Sequence, residues 1–422
     1  MATYFKLNSG CSFYPYEGSS DAEEFLIRTP KGRQFRLSSL AKEILEGLDG
    51  STSLETIAER LHSRNISISA GQLQSFLEQE YGPLEIFEGH APVSAPVSAP
   101  VQEARKSLVP IFLHWRLLSG RLTYRISKLF SWLFNRFVAM AGVLAIVGCH
   151  YWLYASQLPA LVDDEVEVNL MLVSLVALIS VLFHEFGHSS AVTRYGGTPG
   201  GIGFGLYAFM PSFYADVSEI WRFPRRQRMV VDWAGVYFQQ LVFCIFTVLS
   251  YTTGVAEFAV AGTLVDTMTL LNLNPLFQFD GYWFLVDYLG LPELHRLAWT
   301  QIRRWFLRSK EALVMPAMRR HGRRIFLVYA IGSVGCIALL LRLEYRYVLH
   351  PSATFFARLP KTLHALVTAL KTGEFMKAGS HLLGILYAVI IPLSLVLGLS
   401  MYATRIYRYF TRRSTTIVRS SA

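Results

Sequence analysis

Six stretches of this chain, at roughly 137–157, 168–193, 229–251, 255–273, 325–343 and 382–404, each approach the ~20 mostly apolar residues that a helix needs to cross a bilayer. That feature constrains the fold more than any other. In hydrocarbon every backbone N–H and C=O must find its partner inside the protein, so such runs are forced into helices. The composition agrees, with 52% hydrophobic and only 17% charged residues in 422, which excludes a single water-soluble globule. The loops sort by charge. Arg222, Arg225, Arg226 and Arg228 precede the third run, nine basic residues from Arg296 to Arg324 separate the fourth from the fifth, and Arg405, Arg408, Arg412 and Arg413 follow the sixth. Asp163, Asp164, Glu165 and Glu167 follow the first. The positive-inside rule then puts both termini and the basic loops in the cytoplasm. The 344–381 loop runs against this assignment, because it carries Arg346, Arg358, Lys361, Lys371 and Lys377 on the outer side.

The expected fold class is therefore a polytopic α-helical membrane protein of about six transmembrane helices, carrying a soluble N-terminal domain. Charge separates the two parts. Residues 1–90 hold 8 Lys/Arg and 13 Asp/Glu, net −5, so with a total of +10 the remaining chain is net +15. An acidic head has no clustered cations for phosphates, and no nucleic-acid partner is expected. The four cysteines are far apart and form no C-x-x-C pattern, as in a reduced compartment. The opening MATYFKLNSGCSFYPYEG lacks a basic stretch followed by an apolar one, so no cleaved signal peptide is expected.

Residues 1–88 read as a winged-helix-like α+β domain. EFLIR and RQFRL around TPKG predict a hairpin. Leu40, Ile44, Leu45 and Leu48 define a helix face that Asp49-Gly50 closes. Thr52 and Glu55 suggest a capping box for a second helix, and Leu73, Phe76 and Leu77 mark a third. Residues 89–104, with PVSAPVSAPV, read as a Pro/Ala/Ser linker. Residues 105–136 interleave Arg and Lys with Trp115, Phe130, Trp132 and Phe134, as in a basic amphipathic juxtamembrane segment. The transmembrane domain then spans 137–405, with its chemistry in 168–290, and 406–422 form a cytoplasmic tail.

That chemistry begins at HEFGH. His184 and His188 stand four apart on a helix, so both imidazoles leave one face and can share a metal, with Glu185 beside them. At this chain's His and Glu frequencies, on the order of 0.01 such motifs arise by accident. Ionisable groups at membrane depth are themselves costly, which makes an accidental one rarer still. Two histidines are too few for a catalytic zinc, which takes three protein ligands and keeps a fourth position open. LNLNPLFQFDGYWFL supplies a candidate. Pro275 breaks the helix, Gly281 allows a change of direction, and irregular backbone at this depth marks a cavity that Asp280 would enter. Asp216, in FYADVSEIW, is the serious competitor and Asp287 is also conceivable, while Asp232 and Asp266, in helical runs without a break, rank lower. His150 has no second histidine at ligand spacing and reads as interfacial or solvated.

HEFGH at 184–188 paired with NPLFQFDG at 274–281, on separate membrane segments, resembles the site-2 protease family of intramembrane zinc metalloproteases. The resemblance covers roughly residues 168–290. It implies a Zn2+ cofactor held by His184, His188 and Asp280, Glu185 as general base, and Asn274 in contact with the substrate backbone. It also implies a short membrane-associated β segment in GGTPGGIGFGLYAFMPSFYADVSEIW. No PDZ segment separates the two motifs, which departs from the best-known members. FRLSSLAKEILEGLDGSTSLETIAERL resembles PqqD-like domains that capture the leader of a ribosomally made precursor peptide as an added strand. The partners so implied are a peptide or protein substrate, the lipid bilayer, and export or maturation proteins. The alternative reading is a non-hydrolytic membrane component of a peptide maturation or export complex, since broken helices also occur in transporters.

Overall fold

The computed structural model describes residues 4–16, 24–30, 34–64, 66–84, 86–88, 111–157, 169–207, 210–275, 278–291, 294–306, 320–344, 350–386, 388–390, 393, 400 and 404. The 89–104 linker, the 163–167 acidic loop and the 406–422 tail lie outside them. The chain divides into two compact units. One comprises Met1–Ser107, Glu219–Met229 and Leu285–Phe326, and the other Leu108–Ser218, Val230–Phe284 and Leu327–Ala422.

In the first unit, β1 (Tyr4–Lys6) meets a later strand, while β2 (Ser12–Tyr16), β3 (Glu24–Arg28) and β4 (Gln34–Ser38) form an antiparallel sheet in that order. The expected hairpin is β3–β4, with Glu24 opposite Ser38 and Arg28 opposite Gln34. β2 is an edge strand, which is why it tolerates Pro15. α1 (Ser39–Glu46) is capped by Ser38. Asp49-Gly50 does not close it but opens β5 (Asp49–Ser53), the partner of β1. Asp49 accepts the N–H groups of Ser51 and Thr52 at 2.8 Å each, and Gly50 takes φ 82°. Thr52 is thereby held in the strand, so α2 (Leu54–His62) is capped one residue later, by Ser53. The reciprocal capping box occurs instead on α3 (Ala70–Phe76), between Ser69 and Gln72. Phe5, Ile27, Phe35, Leu45, Leu54, Leu73 and Phe87 belong to one buried core drawn entirely from the head residues.

The head residues share their unit with two later segments. Arg28 pairs with Glu219 at 3.1 Å, and the Tyr16 ring lies 6.1 Å from that of Trp221. Arg228, only 1% exposed, stacks over both rings at 5.2 and 5.6 Å and pairs with the buried Asp287 at 3.0 Å. Arg225 donates to the carbonyls of Asp287 and Tyr288. These arginines, read from sequence as loop charges that set topology, are structural ties.

The second unit opens with β6 (Ile111–Leu118) and α4 (Gly120–Phe130). The segment expected to be amphipathic is thus part strand, part helix. The strand exists because β6 pairs with β7 (Ile202–Tyr207), which pairs in turn with β8 (Met210–Ala215). α5 (Arg136–Trp152), α6 (Leu170–Arg194) and α7 (Arg225–Thr253), whose first turn belongs to the first unit, follow the first three apolar runs. Among the described residues, three helices are long and apolar enough to cross a membrane: Arg136–Ser156, Leu170–Arg194 and Arg225–Thr253. The fourth run forms α8 (Ala256–Asn272), whose 17 residues span about 25 Å, short of a ~30 Å hydrocarbon core. The fifth lies within the helix Arg320–Glu344, and the sixth begins in the shorter apolar helix Phe375–Ile390 and is described only in part. The structure therefore supports three spans and leaves the expected six unconfirmed. Phe186, Ile202, Tyr237 and Phe238, with Leu118, Ile126 and Phe130 against them, bury the faces that α4, α6 and α7 turn toward one another.

Candidate metal centre

The two histidines come from the C-terminal half of α6, where the helix turns from partly exposed to fully buried. Small residues let α7 come against it. A side chain at Gly187 would place its Cβ 2.3 Å from the Ala234 carbonyl oxygen and 3.0 Å from the Gly235 Cα. Only glycine lets the two backbones touch here. This approach brings the Val231 carbonyl within 2.7 Å of His188 Nδ1. A carbonyl only accepts, so Nδ1 carries the hydrogen and Nε2 presents a lone pair.

Asp280 enters from the start of α9 (Asp280–Leu289). The chain reaches it because α8 stops at Asn272 and Gly281 sits against the Leu273 carbonyl, where a Cβ would lie 2.1 Å from the oxygen. Asp280 Oδ2 is 2.9 Å from His184 Nε2 and 3.3 Å from His188 Nε2, and the two nitrogens are 3.2 Å apart. Ligand atoms around a tetrahedral zinc at about 2.0–2.1 Å are separated by roughly 3.3 Å, so this triangle has the size of one tetrahedral face. His188 Nε2 and Asp280 Oδ2 face each other at 3.3 Å across a gap that a shared cation would bridge. The residues fit a metal, and among the described residues this is the group of three His, Cys, Asp or Glu side chains able to hold one.

Glu185, 8% exposed, is beside the triangle and accepts a hydrogen bond from the backbone of Ala215, at the end of β8. Asp216, the competing third ligand, lies outside the group. Its carboxylate accepts from Ser218 N and Oγ at 3.1 and 2.6 Å. Asp287 is committed to Arg228. Asp266 is bound to His150 at 3.1 Å. Neither that pairing nor the burial of Asp266 was visible in the sequence.

The amide that the structure sets against the His–His–Asp group belongs to Asn272, which sequence reading passed over. Its Nδ2 donates to Asp280 Oδ2 at 2.9 Å and lies 3.2 Å from His184 Nε2. Asn274, expected to contact substrate, is past the helix end and half-buried, its backbone N–H bonded to the Leu271 carbonyl at 3.2 Å. Both asparagines occur in LNLN. The signal that distinguishes them is where the α8 helix stops.

The fold and site define a helical protein with membrane-length helices and a His–His–Asp centre that could bind a metal. Comparison with known proteins adds a relative. A protein of Bacillus subtilis (strain 168) named "Putative peptide zinc metalloprotease protein YydH" is 28% identical over 122 residues. The match covers 28% of this chain and 48% of that protein, so the chain spans about half the length of this relative. No family model and no solved structure matches the chain.

Proposed function

We propose that the chain is an intramembrane zinc metalloendopeptidase of the site-2 protease type. The observation that carries this reading is the His184–His188–Asp280 triangle, on membrane-length α6 and the α8–α9 break, with Glu185 beside it. The name of the partial Bacillus relative supports a zinc-dependent peptidase.

Bound there, zinc supplies Lewis-acid polarisation of a peptide carbonyl and an acidified water. Glu185 would serve as the general base, accepting a proton from the attacking water and delivering it to the leaving amine. Asn272 holds the Asp280 carboxylate in place through its amide. Asn274, beyond the helix end, contacts the substrate backbone. His188 precedes Arg194 by six residues, roughly 9 Å along a helix, which sets the site toward the cytoplasmic side of an inner membrane. The substrate is a peptide or protein, unwound at the cut, and the acidic head docks a remote segment of it as an added strand, as a precursor leader would dock. Tethering then raises the local substrate concentration.

The test is Glu185→Gln in purified protein, with cleavage of a fluorogenic peptide and zinc content measured together. Cleavage should fall by ~10²–10⁴-fold while zinc is retained. Undiminished cleavage would overturn the mechanism, and a wild type free of zinc would overturn the reading.

A further inference from the structure

A second buried polar cluster lies away from the ligands, among α5, α7 and α8. Asp266, 8% exposed, stands at its centre. Its Oδ1 meets His150 Nε2 at 3.1 Å and accepts from Gln240 Nε2 at 2.9 Å, while Oδ2 accepts from Tyr154 Oη at 2.8 Å. His150 Nδ1 is 2.8 Å from the Ile146 carbonyl and so carries a hydrogen. His150 Nε2 and Asp266 Oδ1 thus form a partly buried contact between two ionisable groups. An ionisable pair on helices of this hydropathy is expensive and calls for a reason beyond packing.

The reason lies along α8. Asp266, Thr269 and Asn272 stand at three-residue spacing on one helix face. Gln240 Nε2 also donates to Thr269 Oγ1 at 3.0 Å, so one amide from α7 grips two successive turns. The next turn carries Asn272, which donates to Asp280 and reaches His184. α8 ends there, so the rotation of the turn that carries Asn272 depends on how the preceding turns are gripped.

We infer that Asp266, clamped by His150, Tyr154 and Gln240, is a positioning residue that fixes the rotation of α8 and so places Asn272 against the metal ligands. The inference rests on the zinc-peptidase reading and deepens it.

The experiment loads cobalt(II) in place of zinc in the full chain in detergent and records the visible ligand-field spectrum, kcat and KM. The variants are Asp266→Ala, Gln240→Met, Asn272→Ala and the Asp266→Ala/Asn272→Ala pair. Gln240→Met keeps volume and suits an apolar helix, so it carries the test should Asp266→Ala fail to fold. Asp266→Ala or Gln240→Met should shift the cobalt spectrum in the direction of Asn272→Ala and lower kcat about 10-fold, with KM within about 2-fold. Adding Asp266→Ala to Asn272→Ala should cost little more, because both act through one amide. A role confined to stability would lower the melting temperature and leave the spectrum alone. Unchanged spectra with full kcat, or losses that multiply in the double variant, would overturn the inference while a loaded, active wild type leaves the peptidase reading standing. A wild type that takes up no metal overturns both.

Discussion

Gly235 offers the sharpest perturbation of the centre. A Cβ added there would lie 2.5 Å from Nε2 of both His184 and His188. Ordinary contact for such atoms is about 3.5 Å, so Gly235→Ala creates an overlap of about 1 Å against each ligand atom. The strain has no cheap release. Moving α7 outward carries Val231 with it, one turn before Gly235, and breaks the 2.7 Å hydrogen bond that orients His188. Turning the imidazoles instead moves the Nε2 atoms themselves. A metal site holds its distances to about ±0.2 Å, so a 1 Å displacement removes at least one ligand. Losing ligand orientation alone lowers metal affinity about 10–100-fold, and that is the floor for this variant. Overpacking would add about 1–3 kcal/mol of destabilisation. Gly148→Ala is the matched control, since nothing lies within 4 Å of its Cβ on α5. Zinc affinity by chelator competition, with a thermal melt alongside, makes the measurement. Wild-type zinc affinity in Gly235→Ala would refute the close approach of α7 to the ligands.

Three further outcomes follow from the first unit. Arg228→Met leaves Asp287 buried without its cation and should cost about 3–5 kcal/mol, most of it recovered by adding Asp287→Leu; a double variant no better than the single would show that the rings, not the ion pair, hold this junction. Backbone N–H groups of Ser51 and Thr52 hold the Asp49 carboxyl well below the usual carboxylate range, so its contribution is present above the unfolded value of about 4 and lost as pH falls through the folded one. Asp49→Asn should therefore lower the denaturation midpoint at pH 7 by a gap that closes on acidification, and a pH-independent gap would contradict the assignment. Removing residues 1–104 should raise KM for a long substrate more than it lowers kcat and leave a short peptide unaffected, while lowering the melting temperature because Arg228 loses Tyr16 and Glu219 loses Arg28. Equal slowing of both substrates would make the head structural rather than a docking module.

What the sequence disclosed was local. HEFGH declares itself within five residues, because a helix converts a spacing of four into a shared face. α5, α6 and α7 follow from runs long enough to leave the backbone no choice but a helix. The hairpin β3–β4 is likewise one short-range pairing. β6 was hidden because IFLHWRLL mixes apolar, aromatic and basic residues without strict alternation, and only pairing with β7, some 90 positions on, makes it a strand.

The missed polar residues share the same physics. His150 and Asp266 are 116 residues apart, and each alone reads as an isolated polar group on an apolar helix. Arg228 and Asp287 are 59 apart, and an arginine at the start of a membrane-length helix has a sufficient explanation in topology until its burial is known. Asn272 and Asn274 differ by two residues, about 200° around a helix, so only one of them can share a face with Asp266 and Thr269. Pro275 announces that a break exists but does not fix the turn at which the helix ends. The contacts that grip α8 before that end, Gln240 on Asp266 and Thr269, come from another helix. The carboxylate that joins the two histidines could be read from the break that delivers it, whereas the amide bonded to that carboxylate required the fold.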